Sequence, residues 1–293
     1  MSHFREDIHA GKVLIADGAT GTNLQQRGLP SGKSGEFWVL EKPEEILRLE
    51  RNFLEAGSNL ILTCTFGATR KHLEGSGLDR EAERINRTAV QLARKSAEPF
   101  KAYVAGSIGP TGQLLEPMGD YTVQEAEDVF FEQAKWLVDE GVDLLIVETQ
   151  FDMAEAIAAL RAVRSLCSLP LVCSFSYDRG TKTMMGVSPT KMAAALAEFD
   201  LDLLGINCGK GLDDNMKCLQ ELRAVTDKPI WFKPNAGLPV VSAEGKATYP
   251  ATPADMATEV PLWIKLGAQV IGGCCGASPE HIRAIAEAKA KRV

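Results

Sequence analysis

Short apolar segments recur along the chain and alternate with longer amphipathic ones. Each apolar segment is rich in Val, Ile and Leu and largely lacks polar alternation, which is typical of strands buried on both faces. The pattern therefore predicts eight buried β-strands. They lie at residues 12–18, 59–66, 102–109, 143–149, 171–177, 203–209, 229–235 and 268–276.

The amphipathic segments between them predict helices. Residues 79–98 repeat apolar side chains at spacings of three and four, which places them on one helical face. Another helix is predicted to begin after Thr122, because Glu125 three residues later completes the pattern of a capping box. The last helix follows Ser278 and Pro279, a cap residue and then a proline at the first helical position.

Alternating strands and helices predict right-handed crossovers and a parallel sheet, hence an α/β protein. Eight such units in 293 residues match the size of a (β/α)₈ TIM barrel. A doubly wound open sheet is the alternative, since periodicity does not show closure. Because no composition shift or linker marks a second domain, we expect residues 1–293 to form a single barrel domain.

Composition and charge narrow the class of function. The net charge of -7 offers no basic surface for a nucleic-acid backbone. No apolar run follows the first charged residues, as a secretory signal requires, and no apolar stretch approaches the roughly 20 residues that cross a membrane. We therefore expect a cytoplasmic protein without nucleic-acid or membrane partners. Seven cysteines, an odd number, argue against a disulfide framework.

Conspicuous polar residues stand at the ends of five predicted strands. In a barrel, the carboxyl ends of all strands share one face, and catalytic groups lie there. Strands six and eight flank strand seven, so closure would bring their cysteines close together. The residues concerned are Asp17, Glu148, Cys208, Asn235 and the pair Cys274 and Cys275.

The segment GGCCG at 272–276 is the most informative of these ends. Adjacent side chains of a regular strand point to opposite faces, so both thiols face one ion only if the backbone bends, which glycine permits. With Cys208 they would offer three thiolates, and a catalytic zinc keeps its fourth position open for water or substrate. Two alternatives remain: buried packing thiols, or a vicinal disulfide. Packing is the expected role of Cys64, Cys167, Cys173 and Cys218.

Three other candidates each allow two interpretations. The glycine-rich turn DGATGT at 17–22 either holds a carboxylate or phosphate with its backbone amides or is an ordinary βα turn. Glu148 either binds a substrate ammonium or pairs with an internal Arg or Lys. Lys233 either forms a Schiff base, if burial depresses its pKa, or reaches solvent where Pro234 ends the strand.

Taken together, the chain resembles the homocysteine S-methyltransferase family, and specifically the homocysteine-binding domain of cobalamin-dependent methionine synthase. The most specific feature is a single Cys in INCG followed by the GGCCG pair, and KPNAGLP favours the cobalamin-dependent branch. The motifs follow the family's order over nearly the whole chain. They are DGATGT (17–22), TCTFGA (63–68), GSIGPTG (106–112), ETQFD (148–152), INCG (206–209), KPNAGLP (233–239) and GGCCG (272–276).

The resemblance implies a zinc-dependent S-methyltransferase. Cys208, Cys274 and Cys275 would bind zinc, which activates the thiol of homocysteine for attack on a donor methyl group, giving methionine. Asn235 would lie beside the metal and take its fourth position when substrate is absent. The donor implied is methylcobalamin, carried by a corrinoid protein or domain.

The resemblance also implies the contacts of the amino-acid end of homocysteine. The backbone around Ala19 and Thr20 would hold the carboxylate, with Asp17 and Glu148 near the ammonium. One departure concerns the pocket wall, since Cys64 stands where the family commonly has Asn.

A second departure concerns the methyl donor. No folate, cobalamin or activation domain follows the barrel, which indicates either an excised module or a stand-alone subunit that a separate corrinoid protein supplies. Other interpretations remain open: another thiol or selenol as acceptor, S-methylmethionine as donor, a Schiff-base lyase or aldolase using Lys233, or a non-enzymatic zinc-binding barrel.

Overall fold

Eight parallel strands form the centre of the protein in a computed structural model that describes residues 3–30, 32–241 and 247–291. Seven of them lie within the segments predicted from the sequence, and the fourth extends one residue beyond its segment, to Gln150. They are β1 (Leu14–Ile15), β2 (Leu60–Leu62), β3 (Tyr103–Ile108), β4 (Leu144–Gln150), β5 (Leu171–Phe175), β6 (Leu203–Cys208), β7 (Ile230–Pro234) and β10 (Ala268–Ile271). A separate antiparallel hairpin follows β7 and consists of β8 (Val240–Val241) and β9 (Ala247–Thr248).

The sheet closes on itself. Strands pair in parallel in the order β1-β10-β7-β6-β5-β4-β3-β2. A parallel bridge between Ala16 and Leu60 joins the two ends of this order, and the Asn59 amide donates to the Ile15 carbonyl at 2.9 Å. The TIM barrel is therefore confirmed, and the open doubly wound sheet is excluded. The assignment of residues 1–293 to a single domain stays a prediction.

Helices connect the strands and cover the outside of the barrel. They are α1 (Phe4–His9), α2 (Thr20–Gln26), α3 (Gly35–Glu41), α4 (Pro43–Glu55), α5 (Arg70–Glu74), α6 (Ala82–Ala97), α7 (Val123–Asp139), α8 (Met153–Leu166), α9 (Pro189–Ala195), α10 (Leu212–Arg223), α11 (Pro253–Lys265) and α12 (Pro279–Ala290), with short 3₁₀ helices at Asp79–Glu81 and Glu98–Phe100. No helix among the described residues is both long enough and apolar enough to cross a membrane.

The predicted helix starts are confirmed. The Thr122 hydroxyl accepts from the Glu125 amide at 3.2 Å, and the Glu125 carboxylate accepts from the Thr122 amide at 2.8 Å, which completes the capping box. Ser278 caps α12, with Pro279 at the first helical position. The predicted helix at 79–98 starts later than expected. Asp79–Glu81 form a 3₁₀ helix, and α6 begins at Ala82.

Helix α1, which the sequence pattern did not predict, closes the amino-terminal end of the barrel. Phe4 and Ile8 belong to the same apolar cluster as the first inward-facing residues of the strands. The Phe4 ring meets Tyr103 edge-to-face, and Arg5 pairs with Asp202 at 2.6 Å. The barrel is thus sealed at one end by apolar contacts.

The opposite, carboxyl end of the barrel interior is polar. Side chains of a strand alternate between the lumen and the surrounding helices, so the residue two positions after an inward apolar residue also points inward. Steps of two from Ala105, Ile146, Val172, Leu203 and Trp231 lead to Ser107, Glu148, Ser174, Asn207 and Lys233, with Gly205 between Leu203 and Asn207. These buried polar side chains form the floor of the site.

Candidate active site

A cavity of about 460 Å³ opens at the carboxyl end of the barrel. This volume lies in the range typical of sites for small molecules. Asp17, Glu148, Cys208, Cys274 and Cys275 all line it, although they come from four different strand ends. The structure therefore brings together most of the polar residues that the sequence placed at strand ends.

The three candidate thiols converge at one side of this cavity. All three sulfur atoms lie within 4.8 Å of one another, and those of Cys208 and Cys275 are 3.9 Å apart. This confirms the expected closeness of strands six and eight. Cys274 and Cys275 are free thiols, so they do not form the vicinal disulfide considered as an alternative.

Cys208 reaches the cavity because the backbone departs from strand geometry. Asn207 points into the barrel, so a regular strand would direct Cys208 outward. Cys208 instead has a φ of 62°, in the left-handed region that residues with a Cβ rarely adopt. The side-chain NH₂ group of Asn215 holds this bend by donating to the Cys208 carbonyl at 2.7 Å. The thiol is thereby turned toward Cys275.

The GGCCG segment bends as the sequence predicted. Gly276 has a φ of 83°, and a Cβ there would lie 2.2 Å from the Tyr249 ring. A Cβ on Gly272 would lie 2.7 Å from the Asp17 carbonyl. Neither position accepts a side chain, which explains why glycine flanks the thiols.

The thiol cluster fits a zinc ion. Tetrahedral zinc with bonds of about 2.3 Å to sulfur separates two ligand sulfurs by about 3.8 Å, close to the observed 3.9 Å for Cys208 and Cys275. Hydrogen bonds from Cys274 and Cys275 lower the pKa of Cys208 well below its usual value, while the same contacts raise the pKa of Cys274 and of Cys275, so the cluster favours a single thiolate, on Cys208. The buried Asn235 side-chain oxygen has no hydrogen-bond partner among the described residues, and the Asn235 amide hydrogen-bonds to the Cys208 carbonyl at 3.2 Å.

Lys233 is buried in an ion pair with Asp17. Their charged atoms are 2.5 Å apart and each side chain is 4% exposed, so the alternative in which Lys233 reaches solvent is wrong. Burial favours the neutral amine, but the carboxylates of Asp17 and Glu148 outweigh it and raise the pKa of Lys233. A Schiff-base lysine needs a depressed pKa, so this site gives the lyase interpretation no support.

We expect Lys233→Met to destabilise the fold by about 3–5 kcal/mol, because it leaves the Asp17 carboxylate buried without its partner. Urea unfolding of the purified protein measures this change. Lys217→Met is the control, since Lys217 pairs with Asp214 at an exposed position and its loss should cost less than about 1 kcal/mol. Equal unfolding midpoints for the two variants would contradict the assignment.

Glu148 presents a carboxylate oxygen to the cavity. One oxygen accepts from the Ser107 hydroxyl at 2.5 Å, while the hydrogen bonds of the described residues leave the other open. Burial raises the pKa of Glu148 to about 7. Asp17 differs, because one of its oxygens pairs with Lys233 and the other accepts from the Leu62 amide at 2.8 Å. Glu148 is therefore the acid better placed to receive a ligand.

The first turn of α2 faces the same cavity. The Ala19 amide already donates to the Ala277 carbonyl at 3.0 Å, so it does not remain for a ligand. The first amides of a helix lack acceptors within the helix, which leaves those of Thr20 and Gly21 for a carboxylate. Of the two predicted carboxylate contacts, the Ala19 amide is thus already paired within the protein, and the contact at Thr20 stays a prediction.

Cys64 forms part of the opposite wall. It is buried and lines the cavity next to Gly35, where a Cβ would come within 2.8 Å of the sulfur. Cys173 and Cys218 are buried away from the cavity lining and Cys167 is half-buried, as expected of packing residues. Cys64 therefore combines packing with a position in the wall.

Sequence reasoning missed several buried or half-buried polar residues of the site. Ser107, Thr149, Ser174 and Asn207 surround Glu148 and the thiols. The sequence does contain a signal for Ser107, Ser174 and Asn207. Each lies an even number of positions after an apolar residue that points into the barrel, so each is expected to point inward too. Thr149 carries no such signal, because its place depends on a φ of 59°.

Fold and site together define a barrel enzyme with a thiol-lined cavity. The sequence profile of the homocysteine S-methyltransferase family matches residues 14–289. The chain belongs to this family.

Similarity to individual proteins agrees with this membership. Methionine synthases of Mycobacterium leprae and Mycobacterium tuberculosis are each 30% identical to the chain, over 96% and 97% of its length. The chain spans about a quarter of the length of these relatives, 25% in each case. The metallated homocysteine methyltransferase MmuM of Escherichia coli superposes with a TM-score of 0.82 at 27% identity, covering 97% of this chain and 99% of MmuM.

Proposed function

We propose that the protein methylates the thiol of homocysteine to give methionine, at a zinc site formed by Cys208, Cys274 and Cys275. The convergence of three thiols within 4.8 Å at one side of the cavity carries this proposal. The family membership supports homocysteine as the acceptor. A metallated form is known for MmuM, a homocysteine methyltransferase of similar fold.

The cavity offers partners for both charged groups of homocysteine. Glu148 directs its open carboxylate oxygen into the cavity and receives the ammonium. The first amides of a helix lack acceptors within the helix, and those of Thr20 and Gly21 at the start of α2 receive the carboxylate. The sulfur end then extends toward the cysteines. Lys233 keeps Asp17 occupied and so leaves the ammonium to Glu148.

The reaction requires a thiolate nucleophile near neutral pH. Free thiols titrate near pH 8.5, so most homocysteine in solution is protonated. A zinc ion held by the three cysteines supplies Lewis acidity that favours the thiolate form of the substrate. The homocysteine sulfur forms a bond to the methyl carbon while the bond between that carbon and its donor breaks, leaving the electron pair on the donor. The thiol proton passes to solvent.

The surface around the cavity supports a large methyl donor. Most of the large apolar side chains that are exposed in the described part of the chain lie in segments that join the carboxyl end of a barrel strand to the next helix. We call these six residues the mouth patch: Phe66, Leu114, Met118, Met184, Leu238 and Val240. Contiguous exposed apolar surface marks interaction sites, and we infer that these side chains together supply such a surface around the cavity. A protein that carries methylcobalamin would cover this patch while it presents its methyl group to the cavity.

We expect methylcobalamin to support methionine formation, with S-methylmethionine giving little or none. The assay follows methionine produced from homocysteine by the zinc-loaded protein, with free methylcobalamin, with methylcobalamin on a corrinoid protein, or with S-methylmethionine. Met118→Glu should raise the KM for the corrinoid protein about tenfold, because a charge at an apolar contact costs more than about 1 kcal/mol.

Two comparisons sharpen this test. The same substitution should leave the rate with free methylcobalamin unchanged, and Phe131→Glu, at an exposed position on α7, should leave both rates unchanged. Turnover supported by S-methylmethionine alone would replace the proposed donor but keep the proposed acceptor chemistry. Homocysteine that stays unmethylated with every donor would contradict the proposed function.

A further inference from the structure

Asn207 is a fully buried polar side chain to which the methyl transfer described above assigns no role. It is 0% exposed and lies one residue before Cys208, at the end of β6. A buried amide is retained only when its hydrogen bonds are satisfied. The partners of Asn207 therefore indicate what it does.

These partners fix the orientation of the amide. The side-chain oxygen accepts from the Thr149 backbone amide at 3.0 Å and from the Ser174 hydroxyl at 2.6 Å. A backbone N–H requires an acceptor, so the oxygen must stand on that side. The NH₂ group then faces the Thr149 hydroxyl at 2.7 Å and the Cys274 sulfur at 3.8 Å, a distance within the range for a sulfur acceptor.

The same side chain connects two unusual bends. Thr149 and Cys208 both have left-handed backbones, with φ of 59° and 62°. Each directly follows an inward-pointing polar residue, and each lines the cavity. Asn207 makes two hydrogen bonds to Thr149 and is bonded through the chain to Cys208. One residue thus ties the bend beside Glu148 to the bend that turns the Cys208 thiol.

We propose that Asn207 is a positioning residue of the thiol site, which holds Cys274 through an N–H···S hydrogen bond. The inference rests on the proposed function, since its effect appears on a metal bound by the cysteines. The hydrogen bond holds the Cys274 sulfur near the sulfurs of Cys208 and Cys275, so its loss lets that sulfur turn away from the position of a metal ligand. Groups that hydrogen-bond metal ligands typically change metal affinity about 10- to 100-fold when they are removed.

The test compares two variants that alter the same amide differently. Asn207→Asp keeps an oxygen for Thr149 and Ser174 but places an oxygen where the NH₂ group faced Cys274. Ser174→Ala, the matched control, removes a bond to the amide oxygen and leaves the N–H toward sulfur in place. Two quantities are measured in each: zinc affinity, by competition with a chelator, and the sulfur-to-metal charge-transfer band of the cobalt(II)-substituted protein.

We expect Asn207→Asp to weaken zinc binding about 10- to 100-fold and to shift the cobalt band, while Ser174→Ala changes affinity less than about threefold and leaves the band in place. If Asn207→Asp does not fold, Asn207→Ser replaces it in the same test, because a serine side chain is too short to reach the sulfur. Unchanged zinc affinity and band in the Asn207 variants, or equal losses in Ser174→Ala, would overturn the inference. Failure of the unsubstituted protein to bind zinc would instead refute the proposed function.

Discussion

Replacing Cys208, Cys274 or Cys275 with alanine is expected to abolish zinc binding and to lower methyl transfer by about a thousandfold or more. Three sulfurs within 4.8 Å make a complete ligand set only together, and two thiolates do not satisfy a tetrahedral catalytic site. A metal that activates a nucleophile contributes several kcal/mol to the transition state, which corresponds to losses of this size. Metal analysis of the reduced protein and the rate of methionine formation measure the two effects.

Cys173→Ala provides the matched control for this prediction. Cys173 is also a buried thiol on a barrel strand, but it lies outside the cavity lining. Its loss should reduce stability without changing zinc content. A Cys274→Ala protein that retained one zinc per chain and full turnover would show that the cluster does not act through a metal.

Glu148→Gln is expected to raise the KM for homocysteine about 10- to 150-fold with a smaller change in kcat. A charge-assisted hydrogen bond contributes about 1.5–3 kcal/mol, and the substitution removes the charge while the Ser107 contact persists. Glu50→Gln is the matched control. Glu50 is likewise buried, hydrogen-bonded to Ser96 at 2.7 Å and raised in pKa to about 8, but it does not line the cavity.

The pH dependence of homocysteine binding tests the same role of Glu148. Burial raises the pKa of Glu148 to about 7, so the carboxylate that binds an ammonium is lost as the pH falls through 7. Homocysteine affinity should therefore fall more steeply below pH 7 in the unsubstituted protein than in Glu148→Gln, where only the release of the thiol proton depends on pH. A calorimetric titration between pH 6 and 8 distinguishes the two, and identical pH profiles would remove the assigned role.

The same shift has a consequence for stability. A carboxyl group whose pKa is raised on folding favours the folded state below its unfolded pKa, and this contribution is lost as the pH rises through 7. Glu148→Gln should accordingly unfold at a slightly higher temperature than the unsubstituted protein at pH 8. Weaker binding together with greater stability separates a lost ligand contact from a damaged fold.

Most of the barrel could be predicted from the sequence because its strands are buried on both faces. The apolar segments were long enough to be distinguished, and the caps at Thr122 and Ser278 marked helix starts. Helix α1 was not predicted, because a helix of six residues in which only Phe4 and Ile8 are buried gives too short an apolar pattern. Closure was predicted only from the number of strand–helix units, because periodicity does not report the pairing of Ala16 with Leu60.

The site was predictable where residue type limits the chemistry. Three cysteines at strand ends indicated a metal, and their convergence followed once the barrel closed. The pairing of Lys233 with Asp17 was not predictable, because it joins residues 216 positions apart through the lumen. Nor were the left-handed bends at Thr149 and Cys208, since neither is a glycine and local sequence favours other conformations. Long-range contacts impose both features.

Because the amino-terminal end of the barrel is sealed, substrates and products must share one opening at the carboxyl end. Phe4 and Ile8 fill that end, so within the described part of the chain reactants meet the thiols only from the mouth patch side. Homocysteine would then enter, receive its methyl group and leave as methionine through the same opening of the cavity. A donor protein seated there during transfer would trap the product beneath it. Each catalytic cycle would therefore require the donor to leave before methionine does, which makes undocking a candidate for the slowest step.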